Sequence, residues 1–198
     1  TNLSVSHPTY MREVAKAKKR GAKLIVIDPR LNKTTKRADI VARPRPGTDG
    51  ALVWGLCRHL IKADAYDQKF VKKYCIGFEA FARYAEKFTP EFVQQQTGLD
   101  RQTFKAIAEM LSANLPRINI FPGIGLEHQE NGVNDVRTIA CLAALCGALD
   151  IKGGFTWPEA MGERKLSLCD EISLRDQKPI GSDRFPVLYD YRWECHTM

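Results

Sequence analysis

The stretch "KLIVIDPRLNKTTKRADIVARPRPGTDGAL", Lys23 to Leu52, constrains this chain more than any other. Leu24–Asp28 opens it as a continuous apolar run with β-branched members, closed by an acid, a proline and an arginine. A continuous run, unlike an alternating one, suits a strand covered on both faces, as in a parallel sheet. Ala38–Ala42 reads as a second short strand. Around this pair the pattern is helical. Pro8–Arg20 is a helix closed by Gly21, and Gly50–Lys62 is a long one with Leu52, Val53, Leu56 and Leu60 inward and Asp49 as its N-cap.

"AYDQKFVKKYC" and "GFEAFARYAEKF" give short amphipathic helices. Thr89 and Pro90 open another, which Gly98 closes. Asp100 caps a helix with Phe104, Ile107, Ala108 and Leu111 inward. "RINIFPGIG" reads as a strand running into a glycine turn, and "NGVNDVRTIACLAALCGAL" as a helix too apolar for a surface position. After Phe155 no period is sustained. The expected fold is α/β: a three-layer Rossmann-like sandwich with a mostly parallel sheet over residues 1–114. A strand and buried helix over 115–155 belong to an adjoining lobe, and 156–198 form an irregular tail.

The chain's 198 residues suffice for a sizeable core. No apolar run approaches the roughly 20 residues that span a bilayer. The first residues carry no signal pattern and no initiator Met, so the start is expected to be cut and the compartment stays open. The net charge of +7 is concentrated: residues 12–45 hold twelve Lys/Arg against three acids, a local +9. That segment is either a solvated face or a site for phosphates. No aromatic-rich strand or recognition helix accompanies it, so nucleic acid is not expected. The six cysteines (Cys57, Cys75, Cys141, Cys146, Cys169, Cys195) form no CxxC pair, so neither a disulfide framework nor a cysteine metal site is expected.

Ligands of open α/β sheets bind beyond the carboxyl ends of the strands. Asp28 stands at such an end. Its carboxylate can accept two parallel hydrogen bonds, from guanine's amide and amino edge or from a ribose diol. Arg30 can stack on a base or pair with phosphate. Gly47-Thr48-Asp49 adds a small residue for close approach, a hydroxyl and a second carboxylate at a helix start. Together these form a polar clamp suited to a purine nucleotide. A plain turn at Asp28-Pro29 and a plain cap at Asp49 explain the same residues and stay open. The G-x-G-x-x-G fingerprint is absent after the first strand, and Gly123-Ile124-Gly125 alone is a weak signal.

"GAKLIVIDPRLNKTTKRADI" followed by "RPGTDGAL" resembles the molybdopterin guanine dinucleotide-dependent oxidoreductases of the dimethyl sulfoxide reductase superfamily. "TNLSVSHP" is similar to that family's Asn-x-x-x-Ser-His-Pro loop. "PGIGLEHQENGVNDVRTIACLAALCGALDIKGG" is similar to its Gly-x-Gly loop, histidine and following helix. The matches run in order over residues 1–155. The resemblance implies that Asn2 and Ser6 contact the phosphates or sugar of a dinucleotide. Ile27, Asp28 and Arg30 would line a guanosine pocket, Gly47 and Asp49 would complete it with Asp49 on guanine, and Ile124 and His128 would approach from the other lobe.

The resemblance also implies a bis-(molybdopterin guanine dinucleotide) cofactor with molybdenum or tungsten. An iron–sulfur cluster, an electron-transfer subunit and the domains that close over the cofactor would lie outside this chain. The chain is then expected to be the central cofactor-binding part of a longer polypeptide, apo and inactive alone, with a role in anaerobic respiration. Two other classes stay open. One is a non-redox hydratase or transhydroxylase on the same scaffold, which "RLNKTTKRADI" and "GSDRFP" also resemble. The other is a non-enzymatic nucleotide- or nucleic-acid-binding module.

Overall fold

The computed structural model describes residues 2–156 and, beyond them, Arg184 alone. Thr1–Thr156 forms one compact unit, and Trp157–Met198 separates from it as a second. The expected irregular tail, with Cys169, Cys195 and "GSDRFP", therefore lies outside the described residues apart from Thr156 and Arg184.

The described chain runs α1 (Leu3–Ser6), α2 (Pro8–Lys19), β1 (Ile25–Ile27), a 3-10 turn (Thr35–Arg37), β2 (Ile40–Ala42), α3 (Asp49–Lys62), α4 (Gln68–Tyr74), α5 (Phe78–Ala85), α6 (Pro90–Thr97), α7 (Arg101–Ala113), α8 (Ile124–Glu127) and α9 (Gly132–Leu145). Strands β1 and β2 pair in parallel, with Ile25 opposite Ile40, Val26 opposite Val41 and Ile27 opposite Ala42. The ladder continues past both ends of β1: Asp39 N donates to Leu24 O at 2.8 Å and Asp28 N to Ala42 O at 3.0 Å. Val26 and Ala42 are buried, as a covered parallel pair requires.

Helix α3 is the centre of the core. Its Leu52, Val53, Leu56, Cys57 and Leu60 are buried, and it packs on α5, α6, α7 and α9. The approach of α6 and α7 depends on Gly55, where a Cβ would stand 2.5 Å from Val93 Cγ2 and 3.0 Å from Phe104 Cε2. Trp54, on another face of α3, stacks on Phe88 at 5.4 Å and meets Phe81 at 4.5 Å. The expected caps hold where a side-chain oxygen reaches the third residue on. Thr89 Oγ1 accepts from Phe92 N at 3.2 Å and Asp100 Oδ1 from Thr103 N at 2.8 Å. Gly98, in the left-handed region at φ +75°, ends α6.

The expected α/β architecture holds, with a small parallel sheet of two strands and helices dominating among the described residues. Several local expectations are corrected. Residues 117–123 form no strand. Ile118 N turns back to Pro116 O at 2.8 Å and Asn119 Nδ2 reaches Gly154 O at 3.3 Å, but no neighbouring strand among the described residues supplies a ladder. "TNLSVSHP" holds a short helix, α1, rather than a loop. Asp49 is the first residue of α3, and Thr48 is its N-cap. The Thr48 hydroxyl donates back to Arg45 O at 2.7 Å and caps no helical N–H. Helix α9 is shorter than expected, because Gly147 leaves the helical region at φ +63°. Thr138, Ile139, Leu142 and Leu145 bury one face of it, while Val133 is 85% exposed. No helix of the described residues is long and apolar enough to cross a membrane.

Leu60, in the last turn of α3, is 0% exposed. Leu60→Ala is expected to cost about 2–5 kcal/mol of unfolding free energy by urea denaturation, as buried Leu→Ala changes do. Val133→Ala is expected to move it by about 0.5 kcal/mol or less.

Candidate functional site at the strand ends

Because β1 and β2 are parallel, the loops that leave them emerge at the same edge of the sheet. Asp28, buried, is the first residue past β1. Its Oδ1 accepts from Arg30 N at 2.9 Å and its Oδ2 from Asn32 Nδ2 at 2.9 Å, so the carboxylate folds its own loop tightly. The Arg30 guanidinium stays 4.0 Å from Asp28 Oδ1, and its side chain is 80% exposed. Asn32 Oδ1 in turn accepts from Thr34 N at 2.8 Å and Thr35 N at 3.0 Å.

Buried Thr34 links this loop to the start of the chain. Its Oγ1 accepts from Ser4 N at 2.9 Å and donates to Asn2 Oδ1 at 3.0 Å. Arg43 Nε donates to Pro29 O at 3.1 Å, tying the chain after β2 to the loop after β1.

The second loop reaches the same edge. Gly47 sits at φ +79°, and a Cβ there would lie 3.1 Å from Gln129 Oε1, which brings the α8–α9 connection against this turn. The Asp49 carboxyl is raised above the ordinary aspartate range, first by burial and further by the charge of Asp28. Asp135, buried on α9, is raised too, by burial and then by the Asp49 charge, against which the Gly50 amide works. Along this rim the charge of Asp28, just past β1, thus acts on Asp49 of α3, and that of Asp49 on Asp135 of α9. The chain start meets the glycine loop: Phe121 packs edge-on to His7 at 5.5 Å and against Tyr10 at 4.9 Å.

The structure therefore brings Asn2, Asp28, Gly47 and Asp49 into one connected set, with Ile27 leading into it at the end of β1. Ser6 bonds only within its own segment, to Asn2 O at 3.0 Å, with His7 Nδ1 3.0 Å from its Oγ. Ile124 is exposed on α8, and the His128 imidazole makes no hydrogen bond to the described residues. Asn32, Thr34, Gln129 and Asp135 were not singled out from sequence. "NKTT" held a usable signal, since Asn and Thr at that spacing form side-chain-capped turns. Asp135 offered only its position as an acid within an apolar helical pattern. No group of three or more His, Cys, Asp or Glu suits a metal ion among the described residues. Part of the basic segment is used internally. Lys18 pairs with Asp39, and Arg45 Nη1 donates to Gln95 O at 2.9 Å at the end of α6.

The family model of the molybdopterin oxidoreductases matches residues 1–162. The chain belongs to the molybdopterin oxidoreductase family. A probable oxidoreductase of Bacillus subtilis, YoaE, is 37% identical over 139 residues, which are 70% of this chain and 20% of that protein. The alpha subunit of an F420-dependent formate dehydrogenase of Methanocaldococcus jannaschii is 33% identical over 179 residues, 90% of this chain and 26% of that protein. The solved acetylene hydratase from Pelobacter acetylenicus superposes with a TM-score of 0.67 at 33% identity, over 70% of this chain and 19% of that one. The chain spans a fifth to about a quarter of these relatives. The placement in the dimethyl sulfoxide reductase superfamily expected from the motifs holds, and with it a cofactor of the molybdopterin type carrying molybdenum or tungsten.

The rim of this molybdopterin oxidoreductase domain fits such a group. The Asp49 carboxylate is half-buried, and no side chain among the described residues donates a hydrogen bond to it. A desolvated acceptor in that condition suits a ligand with paired donors. Gly47 is exposed, faced only by the flexible Gln129 amide, and nothing lies within 4 Å of a Cβ at Gly125.

The raised carboxyls set a pH dependence. A carboxyl whose pKa rises on folding favours the fold fully below its unfolded value of about 3.9, and that contribution is lost as pH climbs through the folded value. Carboxyl carbon NMR should find Asp49 and Asp135 both titrating above about 3.9, with Asp49→Asn moving Asp135 downward. An Asp135 titration indifferent to Asp49→Asn would mean that the two do not share a rim.

Proposed function

We propose that this chain is the cofactor-binding part of a molybdenum or tungsten oxidoreductase, holding the guanosine and phosphate portion of one of two molybdopterin guanine dinucleotides. The observation that carries the reading is the half-buried Asp49 carboxylate, to which no side chain among the described residues donates, at the sheet edge where Asp28 also follows its strand. Guanine presents N1–H and N2–H₂ side by side to one carboxylate. Adenine presents an acceptor at N1 and leaves the carboxylate unpaired, at a cost of roughly 1–3 kcal/mol. Ile27 and the exposed Arg30 supply the wall and a stacking or phosphate-pairing cation. Asn2 and Ser6 serve sugar or phosphate, and Ile124 and His128 close from the far side. When bound, the cofactor supplies redox chemistry at its metal, and the residues here bind and orient it.

The remainder of the expected architecture belongs to this proposal. The two parallel strands, half-buried around Val26 and Ala42, would be part of a larger sheet in a three-layer sandwich, since parallel pairs are found inside covered sheets. Residues 1–114 would form the dinucleotide-binding part and 115–155 would lead into an adjoining lobe. The metal's protein ligand, an iron–sulfur cluster and an electron-transfer partner would come from elsewhere, in an enzyme of anaerobic respiration. The likeness to an acetylene hydratase favours a second reading, in which the same cofactor supports non-redox chemistry. The guanine site would be the same in both.

Titration of the chain with GDP and ADP at two salt concentrations tests the reading. Guanine is expected to win by about ten- to a hundred-fold. Asp49→Asn should erode that preference more than it weakens the salt-sensitive, phosphate-driven part of the affinity. Equal affinities that fall alike with salt would assign the binding to the basic segment and overturn the guanine site.

A further inference from the structure

Gly50 follows Asp49 in the first turn of α3. Its backbone is ordinary helix, so conformation does not call for glycine there. Space does. A Cβ at residue 50 would lie 2.0 Å from Asp135 Oδ1 and 2.8 Å from its Cγ. Glycine is otherwise a poorer helix former than alanine, so the close approach needs a reason. The reason available is the carboxylate itself. Asp135 reaches from α9 to the start of α3, where free N–H groups and the positive end of the helix dipole favour an anion. The Thr48 hydroxyl is turned away to Arg45 O, so the usual cap is missing. Asp135 supplies a substitute from another helix.

We propose that Asp135 is a positioning residue: lodged where residue 50 has no side chain, it holds the first turn of α3 and so sets where the Asp49 carboxylate stands at the rim. This rests on the reading of Asp49 as the guanine acceptor and adds what fixes its place. The acidic groups at the rim among the described residues are Asp28 just past β1, Asp49 of α3 and Asp135 of α9, with the Arg30 guanidinium 4.0 Å from Asp28. Asp28 acts on Asp49, and Asp49 on Asp135. Gln129, from the α8–α9 connection, is neutral. The Asp135 side chain therefore fixes the turn by its volume and acceptor atoms, while its own ionisation is opposed by the charge of Asp49.

Four versions of the full chain separate these: wild type, Gly50→Ala, Asp135→Ala and the double variant. Gly50→Ala is expected to lower the thermal midpoint steeply in the wild-type background and little in the Asp135→Ala background, because removing the carboxylate frees the space. Asp135→Ala should also reduce the preference for GDP over ADP by about tenfold while the salt-sensitive component of binding persists. Asp135→Asn keeps the shape. It should leave both the midpoint and the GDP preference near wild type, because an amide fills the same space. If Asp135→Ala does not fold, Asp135→Ser takes its place in the cycle. A midpoint loss for Gly50→Ala that is the same in both backgrounds overturns the proposal. So does a GDP preference untouched by Asp135→Ala. Absence of guanine preference in the wild type sinks the reading of Asp49 instead, and leaves the Gly50–Asp135 coupling to be judged by the midpoints.

Discussion

The parallel pairing of β1 with β2 is the constraint on which the rest of the described structure depends. An antiparallel pair would send Asp28 and the Gly47–Asp49 turn to opposite edges. Parallel register, Ile25 to Ile40 through Ile27 to Ala42, delivers both loops to one edge, and Arg43 locks them there through Pro29 O. The pairing is short, so its persistence depends on burial. Val26 and Ala42 are covered, and β2 packs on α7. Helix α3 begins where the second loop ends. Its buried face then ties the loop to the core through Leu52, Leu56 and Leu60.

The polar half of the site is built by mutual capping. Asp28 satisfies Arg30 N and Asn32, Asn32 satisfies the amides of Thr34 and Thr35, and Thr34 ties down the chain start through Ser4 and Asn2. Each buried polar atom in this relay has a partner, as buried polar groups require. Asp49 is the exception, a desolvated carboxylate with no side-chain donor among the described residues. Contrast between the satisfied loop and the unsatisfied rim is what distinguishes a scaffold residue from a ligand-facing one here.

Much of this was legible in the residues. "LIVID" announced a covered strand because it is apolar without alternation. Thr89, Asp100 and Gly98 announced helix ends because their side chains or conformational freedom act within three residues. What failed depended on distant partners. "INIF" alternates like a strand, yet it has no neighbour to hydrogen-bond. Asp49 looked like a cap, but the chain turns at Thr48 one residue earlier. Asp135 gave no local sign, because its role is defined by a glycine 85 positions away in the chain. The motif resemblance, by contrast, reached the family correctly, since several ordered short matches are jointly far more specific than any one of them.

The central claim is that Asp49 receives the edge of a guanine base at the shared end of two parallel strands. The most direct measurement is a structure of the cofactor-loaded protein at its natural length. The expected result is a guanine with N1 and N2 both within hydrogen-bonding distance of the Asp49 carboxylate, about 2.7–3.2 Å. A base seated elsewhere, with Asp49 turned to water or to another side chain, would contradict it.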